Sequence, residues 1–198
     1  MGQGQRSAAV TLGLPSWVDG VIGAPGTAFP TVDARMAVVI ALARQNVERR
    51  SGGPFGAAVF ESETGLLVAA GVNRVLQAGA SIAHAEVLAL TLAQRRVGSF
   101  DLSAAGLARH ELVTSVEPCA MCLGALVWSG VRRVVTGARD ADARDVGFDE
   151  GPKPPDWVAA LEQRGIDVVR DVRRDDACAV LAAYRASGAP VYNPRRHP

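Results

Sequence analysis

Two short stretches of this sequence combine residue types that bind transition metals. His84 stands two positions before Glu86, and Cys119 and Cys122 lie three positions apart directly after Pro118. Imidazole and thiolate are ligands that zinc prefers, and on a helix two side chains three residues apart share one face. Three protein ligands leave a position free for water, as in a catalytic zinc site. The sequence therefore predicts that His84, Cys119 and Cys122 bind Zn2+.

Both stretches are predicted to begin a helix, which suits hydrolytic chemistry. The N-terminus of a helix favours negative charge and helps to keep the thiols of Cys119 and Cys122 ionised. Water bound to zinc ionises near neutral pH, and the resulting hydroxide can attack a carbon that carries an amino group. Glu86 is close enough in sequence to reach this water without binding the metal. We therefore expect Glu86 to carry the proton from the water to the substrate.

The same residues allow two non-catalytic interpretations. A Cys-x-x-Cys pair can be a redox pair, but that function leaves His84 unexplained. It can also be half of a structural zinc site, which normally has four protein ligands. The remaining histidines and cysteine, His110, His197 and Cys178, do not stand at a spacing typical of such a site. A zinc-stabilised binding domain would also have no need for Glu86, so an enzyme is favoured.

Helices and strands that could position these residues alternate along the chain. The spacing of apolar residues predicts helices over 31–50, 83–97, 119–129, 154–164 and 175–186. Strands are predicted over 55–61, 66–72, 112–115, 131–136 and 166–170. Segments 73–82 and 139–146 are predicted to be loops, the second with a helical turn. The first two strands form a hairpin, so we expect a layered α/β domain with a mixed sheet whose later part is mostly parallel.

Length and composition indicate one folded domain after an N-terminal extension. The chain has 198 residues, of which 48% are hydrophobic, enough to bury a single core. Residues 1–30 are rich in glycine and proline, with at most one short ordered piece around Trp17. The predicted boundary therefore separates an extension over 1–30 from a domain over 31–198. A formal net charge of +1 argues against a nucleic-acid partner.

The number of cysteines and the lengths of the apolar runs indicate the cellular compartment in which the protein is expected. Three cysteines are an odd number and imply no disulfide framework. Residues 1–10 lack the apolar core of a signal peptide. No apolar run approaches the roughly 20 residues that cross a bilayer. We expect a cytoplasmic protein with reduced thiols and no membrane partner, and we interpret Arg35 and Arg44 as surface charges without a functional role.

Two stretches carry a family resemblance. They are His84-Ala85-Glu86-Val87 and the stretch over 115–125, which reads Ser-Val-Glu-Pro-Cys-Ala-Met-Cys-Leu-Gly-Ala. Paired His-x-Glu and Pro-Cys-x-x-Cys motifs are typical of zinc deaminases, whose glutamate is the general acid and base. Across roughly residues 32–152 the chain resembles bacterial guanine deaminases of the cytidine deaminase-like superfamily. The resemblance implies a three-layer α/β/α fold with a central mixed five-stranded sheet, and hydrolysis of a free nucleobase, guanine, to xanthine and ammonia.

The resemblance also implies which residues bind the substrate. Asn73, eleven residues before His84, stands where the superfamily has a substrate-binding asparagine. Its amide can donate a hydrogen bond to a ring carbonyl and accept one from a ring N–H. Phe55 and Trp128 are expected to form flat apolar walls for a purine. Ala85, between the histidine ligand and Glu86, is also assigned to the substrate pocket.

Two further features near the C-terminus belong to the predicted site. Gly147-Phe148-Asp149-Glu150 resembles a string whose final acid is a second proton shuttle in guanine deaminases. Glu150 would protonate the amine that leaves C2 of guanine. In the same family the C-terminal tail can cross to the partner subunit, and 191–194 could do so here, with Tyr192 over the pocket. We therefore expect a homodimer, with tail exchange as one arrangement.

The motifs predict the type of reaction, a zinc-dependent deamination, but they are compatible with more than one substrate. Cytosine, guanosine or an aminotriazine such as ammeline would be compatible with the same residues. A tRNA adenosine deaminase also shares His-Ala-Glu and Pro-Cys-x-x-Cys, and Gly137-Ala138-Arg139-Asp140 resembles that family. Such an enzyme needs a basic surface for an anticodon loop, which a net charge of +1 does not supply. Guanine is therefore the first expectation and another small ring the alternative.

Overall fold

A five-stranded mixed sheet lies between two layers of helices in the computed structural model, which describes residues 11–193. The strands are β1 (Gly56–Glu61), β2 (Leu67–Val72), β3 (His110–Val116), β4 (Arg133–Ala138) and β5 (Asp167–Val169). Their order is β2-β1-β3-β4-β5. β1 is antiparallel to both neighbours, whereas β3, β4 and β5 are parallel. The predicted mixed sheet with a parallel later part is confirmed.

Helices cover both faces of this sheet. They are α1 (Val18–Ile22), α2 (Val32–Glu48), α3 (Val75–Ala78), α4 (Ala85–Val97), α5 (Ala120–Ser129), α6 (Asp140–Val146), α7 (Trp157–Glu162) and α8 (Arg174–Ala186). α1, α2, α6 and α8 contribute buried side chains to one core, and α4, α5 and α7 to the other. The predicted three-layer α/β/α architecture is therefore confirmed.

Two of the segments predicted to be loops contain helices. Segment 73–82 includes the single turn of α3. Segment 139–146 is a complete helix, α6, rather than a loop with a helical turn. The backbone N–H of Arg139 donates to the Asp142 carboxylate at 2.7 Å and so stabilises the first turn of this polar helix. The sequence of α6 is mostly polar, and its apolar residues are too few to show a helical repeat. For this reason the pattern of apolar residues did not predict this helix.

Glycines on two strands allow helices to approach the sheet closely. A Cβ atom at Gly56 would collide with the carbonyl oxygen of Val39 in α2. A Cβ atom at Gly71 in β2 would collide with the carbonyl oxygen of Ala85, the first residue of α4. Because α4 begins directly after His84, this close approach places His84 against the edge of the sheet.

Part of the N-terminal extension packs on the domain. α1 matches the predicted ordered piece around Trp17, and Val18 is buried in the core. The Trp17 indole N–H donates to the Ser51 hydroxyl at 3.2 Å. Residues 1–10, where the absence of a signal peptide was predicted, lie outside the described residues, and the domain boundary after residue 30 stays a prediction. Within 11–193, no helix combines the length and the apolar character needed to span a bilayer.

Arg35 is buried, so its interpretation as a surface charge is wrong. It lies in α2 and is 2% exposed. Its guanidinium donates to the Glu111 carboxylate in β3 at 2.5 Å and to the carbonyl oxygens of Phe29 and Ser62 at 2.8 and 3.0 Å. Arg133 in β4 reaches the other carboxylate oxygen of Glu111 at 3.2 Å. A buried ion pair therefore joins α2, two strands and two connecting segments.

Candidate active site

The structure brings the three predicted metal ligands together. His84 directly precedes α4, and Cys119 directly precedes α5, so each stands at the N-terminus of a helix. Nδ1 of His84 lies 3.5 Å from Sγ of both Cys119 and Cys122. All three donor atoms fall within 4.8 Å of one another. One imidazole and two sulfurs converging on one point fit the donor set of a catalytic zinc site.

No second group of three potential ligands occurs in the described part of the chain. Of the other histidines and cysteine, His110 contacts the carbonyl oxygen of Leu102 through Nδ1 at 2.8 Å. Cys178 lies in α8, and His197 lies outside the described residues. Among the described residues, no fourth histidine or cysteine converges on the three ligands.

Ionisation in the cluster suits metal binding. A hydrogen bond with Cys122 lowers the pKa of Cys119 to about 4, so Cys119 is a thiolate at neutral pH. The same contact raises the pKa of Cys122. Burial on its own lowers the pKa of His84, but the hydrogen bond to Cys119 and the charge of Glu86 outweigh it and raise the pKa overall. Cys119 therefore presents a negative charge to an incoming cation, whereas Cys122 must release its proton when it binds a metal.

Glu86 lies in the first turn of α4 and is buried, yet it is not among the converging ligands. Burial raises the pKa of its carboxyl group, and the neighbouring charge of Cys119 raises it further. A raised pKa makes a carboxylate a stronger base and so better able to take a proton from water. Glu86 therefore has the position and the basicity expected of a proton shuttle.

Glu150 brings a second buried carboxyl group to the same place. It follows α6 in a loop whose backbone contacts the start of α5, because the Ala120 N–H donates to the Glu150 carbonyl at 2.9 Å. Burial raises the pKa of Glu150 to about 8, with further contributions from the charges of Cys119 and Glu86. At neutral pH this carboxyl group therefore holds a proton that it can donate.

A cavity of about 400 Å3 connects these groups to solvent. Its lining includes seven of the predicted site residues: Asn73, Phe55, His84, Glu86, Cys119, Glu150 and Tyr192. Phe148 also lines it and packs edge-to-face against Phe55, with ring centroids 4.8 Å apart. The sequence reasoning did not single out Phe148, although it stands inside the string that identified Glu150. The Phe55–Phe148 pair forms an apolar wall of the cavity.

Asn73 is held at the cavity by a buried residue that sequence reasoning missed. Asn46 in α2 is fully buried, and its amide nitrogen donates to the carbonyls of Gly53 and Asn73 at 2.8 and 2.9 Å. The Asn73 N–H donates to the carbonyl of Phe55 at 3.1 Å. A Cβ atom at Gly52 would collide with the Asn73 carbonyl. The only signal for Asn46 in the sequence is a polar residue on the apolar face of its helix.

Two predicted substrate-binding residues do not line the cavity. The Trp128 side chain is 85% exposed, because α5 turns Cys122, Leu126 and Ser129 inward and presents the opposite face to solvent. Ala85 is fully buried in the core between α4 and the sheet. Neither side chain therefore lines the cavity of the single chain, and the assignment of Trp128 and Ala85 to the substrate pocket stays a prediction. The apolar wall that the structure shows is formed by Phe55 and Phe148.

The C-terminal tail folds back over the cavity of its own chain. The Asn193 amide accepts from the Asp149 N–H and donates to the Gly147 carbonyl, both at 2.8 Å. The Tyr184 hydroxyl donates to the carbonyl of Pro190 at 2.6 Å. These contacts place Tyr192 at the cavity without a partner subunit, and the last residue of the predicted exchange segment, Pro194, lies outside the described residues. Exchange of the tail between subunits stays a prediction.

Comparisons with known proteins agree with this geometry. Residues 31–138 match the model of the cytidine and deoxycytidylate deaminase zinc-binding region. Guanine deaminase from Bacillus subtilis is 38% identical over 111 residues, which are 56% of this chain and 67% of that protein. A solved structure of guanine deaminase from Nitrosomonas europaea is 49% identical with a TM-score of 0.87, covering 92% of this chain and 100% of that chain. A structure in complex with 2,6-diaminopurine is 49% identical with a TM-score of 0.88, covering 95% and 98%.

Proposed function

The chain belongs to the cytidine and deoxycytidylate deaminase family, and on this basis we propose that it is a zinc-dependent aminohydrolase that converts guanine to xanthine and ammonia. The observation that carries the proposal is the convergence of two buried carboxyl groups, Glu86 and Glu150, on one cavity beside the His–Cys–Cys cluster. Attack on an amino-bearing carbon needs one group to move the water proton and gains from a second that protonates the leaving amine. The similarity to guanine deaminases supports guanine as the ring.

The residues of the site divide the proposed reaction between them. His84, Cys119 and Cys122 would hold zinc, which acts as a Lewis acid and lowers the pKa of water when it is bound. Glu86 accepts the proton of the attacking water and passes it to the ring nitrogen beside the reacting carbon. Glu150, protonated at neutral pH, donates its proton to the amine as the bond to C2 breaks. The remaining proton of the attacking water leaves the new C2 hydroxyl as the carbonyl forms and restores Glu150, so each proton transfer passes through a named buried carboxyl group.

The cavity also suits a free purine base. Its volume of about 400 Å3 lies in the range of small-molecule sites. Phe55 and Phe148 supply apolar surface for the flat ring, and the Asn73 side chain offers a donor and an acceptor to the ring edge. Pro190 and Tyr192 of the C-terminal tail also line the cavity and narrow the space beside the ring, which suits a free base better than a base within a polynucleotide.

Ammonia release by the purified, zinc-loaded protein tests the proposed substrate. The panel is guanine, guanosine, cytosine, cytidine, adenine, adenosine and an aminotriazine. Fast release from guanine and slow release from the others supports the proposal. Fast release from another ring would retain the zinc chemistry and overturn guanine as the substrate. No release from any compound by protein shown to contain zinc would argue against a free-base deaminase.

Zinc binding is expected to depend on both cysteines of the cluster. Replacing Cys122 with Ser removes a thiolate ligand, so the variant should lose most of its zinc during dialysis against a mild chelator. Inductively coupled plasma mass spectrometry of the dialysed protein measures the metal. Cys178→Ser in α8 is the matched control and should retain zinc like the unmodified protein. Equal zinc in the Cys122 and Cys178 variants would remove Cys122 from the metal site.

Glu150→Gln is expected to slow guanine turnover by at least ~10²-fold, the lower end of the usual range for loss of a general acid. The amide has nearly the same shape but cannot supply a proton to the leaving amine, so kcat should fall more than KM changes. Steady-state kinetics measure both constants. Glu162→Gln changes an exposed glutamate of α7 and should leave kcat as in the unmodified protein. An unchanged kcat in Glu150→Gln would exclude Glu150 as the second shuttle.

The exposed face of α5 supports a homodimer. This helix contains no charged residue, and it exposes Trp128 together with Met121 and Gly124. Contiguous apolar surface centred on a tryptophan is typical of protein interfaces, where Trp and Met are enriched. A two-fold axis across α5 would bring this surface against its own copy. We infer that a second copy of this chain covers α5, where it also protects the helix that carries Cys122.

Trp128→Glu is therefore expected to shift the protein from dimer to monomer at micromolar concentration. Burying a carboxylate at a self-complementary contact places two like charges close together, which strongly disfavours the dimer. Size-exclusion chromatography with light scattering measures the mass. Ala160→Glu adds the same charge to the exposed surface of α7 and should leave the mass unchanged. A dimeric Trp128→Glu variant would place the interface elsewhere.

A further inference from the structure

A lysine ammonium is buried directly behind the cavity wall. The Lys153 side chain is 7% exposed, and its Nζ lies 3.0 Å from an Asp140 carboxylate oxygen and 3.5 Å from a Glu117 carboxylate oxygen. It also donates to the carbonyl oxygen of Pro118 at 3.3 Å. The indole of Trp157 covers it, with Nζ 4.9 Å from the ring centroid. Burying a lysine so completely is costly unless its charge is paired, as it is here.

The contacts of Lys153 join two segments of the proposed site. One is the loop that carries Glu150, and the other leads to the metal-binding Cys119. Lys153 follows Glu150 by three residues in the loop after α6, whereas Pro118 directly precedes Cys119. One other contact crosses between these segments near the site, from the Ala120 N–H to the Glu150 carbonyl at 2.9 Å.

Arg144 and Asn193 also hold the loop, through the Gly151 carbonyl at 3.1 Å and the Asp149 N–H at 2.8 Å, but they connect it to α6 and to the C-terminal tail. The ammonium adds a second link between the loop and the segment that precedes the cysteines.

We propose that Lys153 is a positioning residue, whose ammonium fixes the Glu150 loop to the Glu117–Pro118 segment and so holds the Glu150 carboxyl group in place relative to the metal-binding cysteines. This inference rests on the proposed function, since it assigns Glu150 to the reaction. The loop needs such a restraint because Gly151, next to Glu150, adopts a positive φ of 71° and adds no side-chain packing of its own.

Lys153 is not needed to neutralise the Glu117 carboxylate. Arg170 already pairs with the other oxygen of Glu117, through Nε at 2.7 Å and Nη2 at 2.5 Å. The Asp140 backbone N–H donates a further hydrogen bond to Glu117 at 3.1 Å. What Lys153 alone provides is the connection from the Glu150 loop to Pro118 and to the Asp140 carboxylate. Arg170 therefore supplies a matched control, because it contacts the same Glu117 without belonging to the loop.

The test compares Lys153→Met, Lys153→Arg and Arg170→Met in the full-length, zinc-loaded protein. Hydrogen–deuterium exchange of a peptide covering 147–153 measures the restraint without any substrate. Lys153→Met should exchange faster in this peptide and lower kcat by about 10-fold, with KM changed less than about threefold, as for loss of a group that orients a catalytic residue. Lys153→Arg should recover most of kcat because it keeps the charge and the donors. Arg170→Met should match the unmodified protein in both measurements.

Unchanged exchange over 147–153 in Lys153→Met would overturn the proposal, as would an Arg170→Met variant that loses kcat to the same extent. If Lys153→Met does not fold, Lys153→Gln replaces it under the same two criteria, since it removes the charge but keeps a polar side chain. Failure of guanine as substrate would appear differently, as an inactive unmodified protein. The exchange result would still decide whether Lys153 restrains the loop.

Discussion

Glu86→Gln is expected to lower kcat by at least ~10²-fold while the protein keeps its fold and its zinc, because the change removes general acid–base help and little else. Glutamine fills the same volume in the first turn of α4 and can still donate and accept hydrogen bonds. It cannot take a proton from water or pass one to the ring nitrogen. Since Glu86 is not one of the converging ligands, metal content should be unaffected.

Three measurements on one preparation decide this prediction. Steady-state ammonia release gives kcat, mass spectrometry gives the zinc content, and circular dichroism reports the fold. Glu162→Gln, the exposed glutamate of α7, should behave as the unmodified protein in all three. Turnover within a few-fold of the unmodified protein in a zinc-loaded Glu86→Gln variant would remove Glu86 from the mechanism. A variant that loses zinc as well would instead place Glu86 among the groups that support the metal.

Arg35→Met should reduce the free energy of unfolding by about 3–5 kcal/mol, the usual cost of removing one partner of a buried ion pair. The Glu111 carboxylate is fully buried and would keep only Arg133, whose side chain is partly exposed. The carbonyl oxygens of Phe29 and Ser62 would also lose their donor. The change lies in the core beneath α2 and should alter stability far more than the chemistry of the cavity.

Urea unfolding measures the loss, and two variants isolate its cause. Arg109→Met removes an exposed pair, since the side chains of Arg109 and Asp167 are 48% and 64% exposed, and should change the stability by less than about 1 kcal/mol. The double variant Arg35→Met with Glu111→Leu removes both charges and should be more stable than Arg35→Met alone. If Arg35→Met lowers the free energy of unfolding no more than Arg109→Met does, the buried pair contributes little to the stability of the fold.

The site depends on the ends of helices rather than on the sheet itself. His84 and Cys119 each stand one residue before a helix, and Glu86 and Cys122 lie in the first turns that follow. At the start of a helix, side chains three residues apart, such as those of Cys119 and Cys122, face the same way. For this reason the local motifs identified all three converging ligands and Glu86 without knowledge of the tertiary fold.

The main elements were also encoded locally. Thr31 was expected to begin the long helix, and its hydroxyl accepts from the Ala34 N–H at 3.1 Å directly before α2. Alternating strands and helices indicated a mixed sheet with a parallel later part, which the observed topology confirms. Period and capping are properties of neighbouring residues, so a single sequence contains them. Short polar helices such as α6 lack that period and were missed.

Other features depend on partners that are distant in the chain. In α5 every face is apolar, so its sequence does not indicate which side is buried, and packing against the sheet turned Trp128 to solvent. Arg35 is buried because Glu111, 76 residues away, lies beneath it. Lys153 reaches Pro118 across 35 residues. The amino-acid sequence thus determined the metal-binding chemistry through short spacings, whereas only the tertiary structure decided which charges are buried and which aromatic side chains line the cavity, because those depend on contacts that form when distant segments meet.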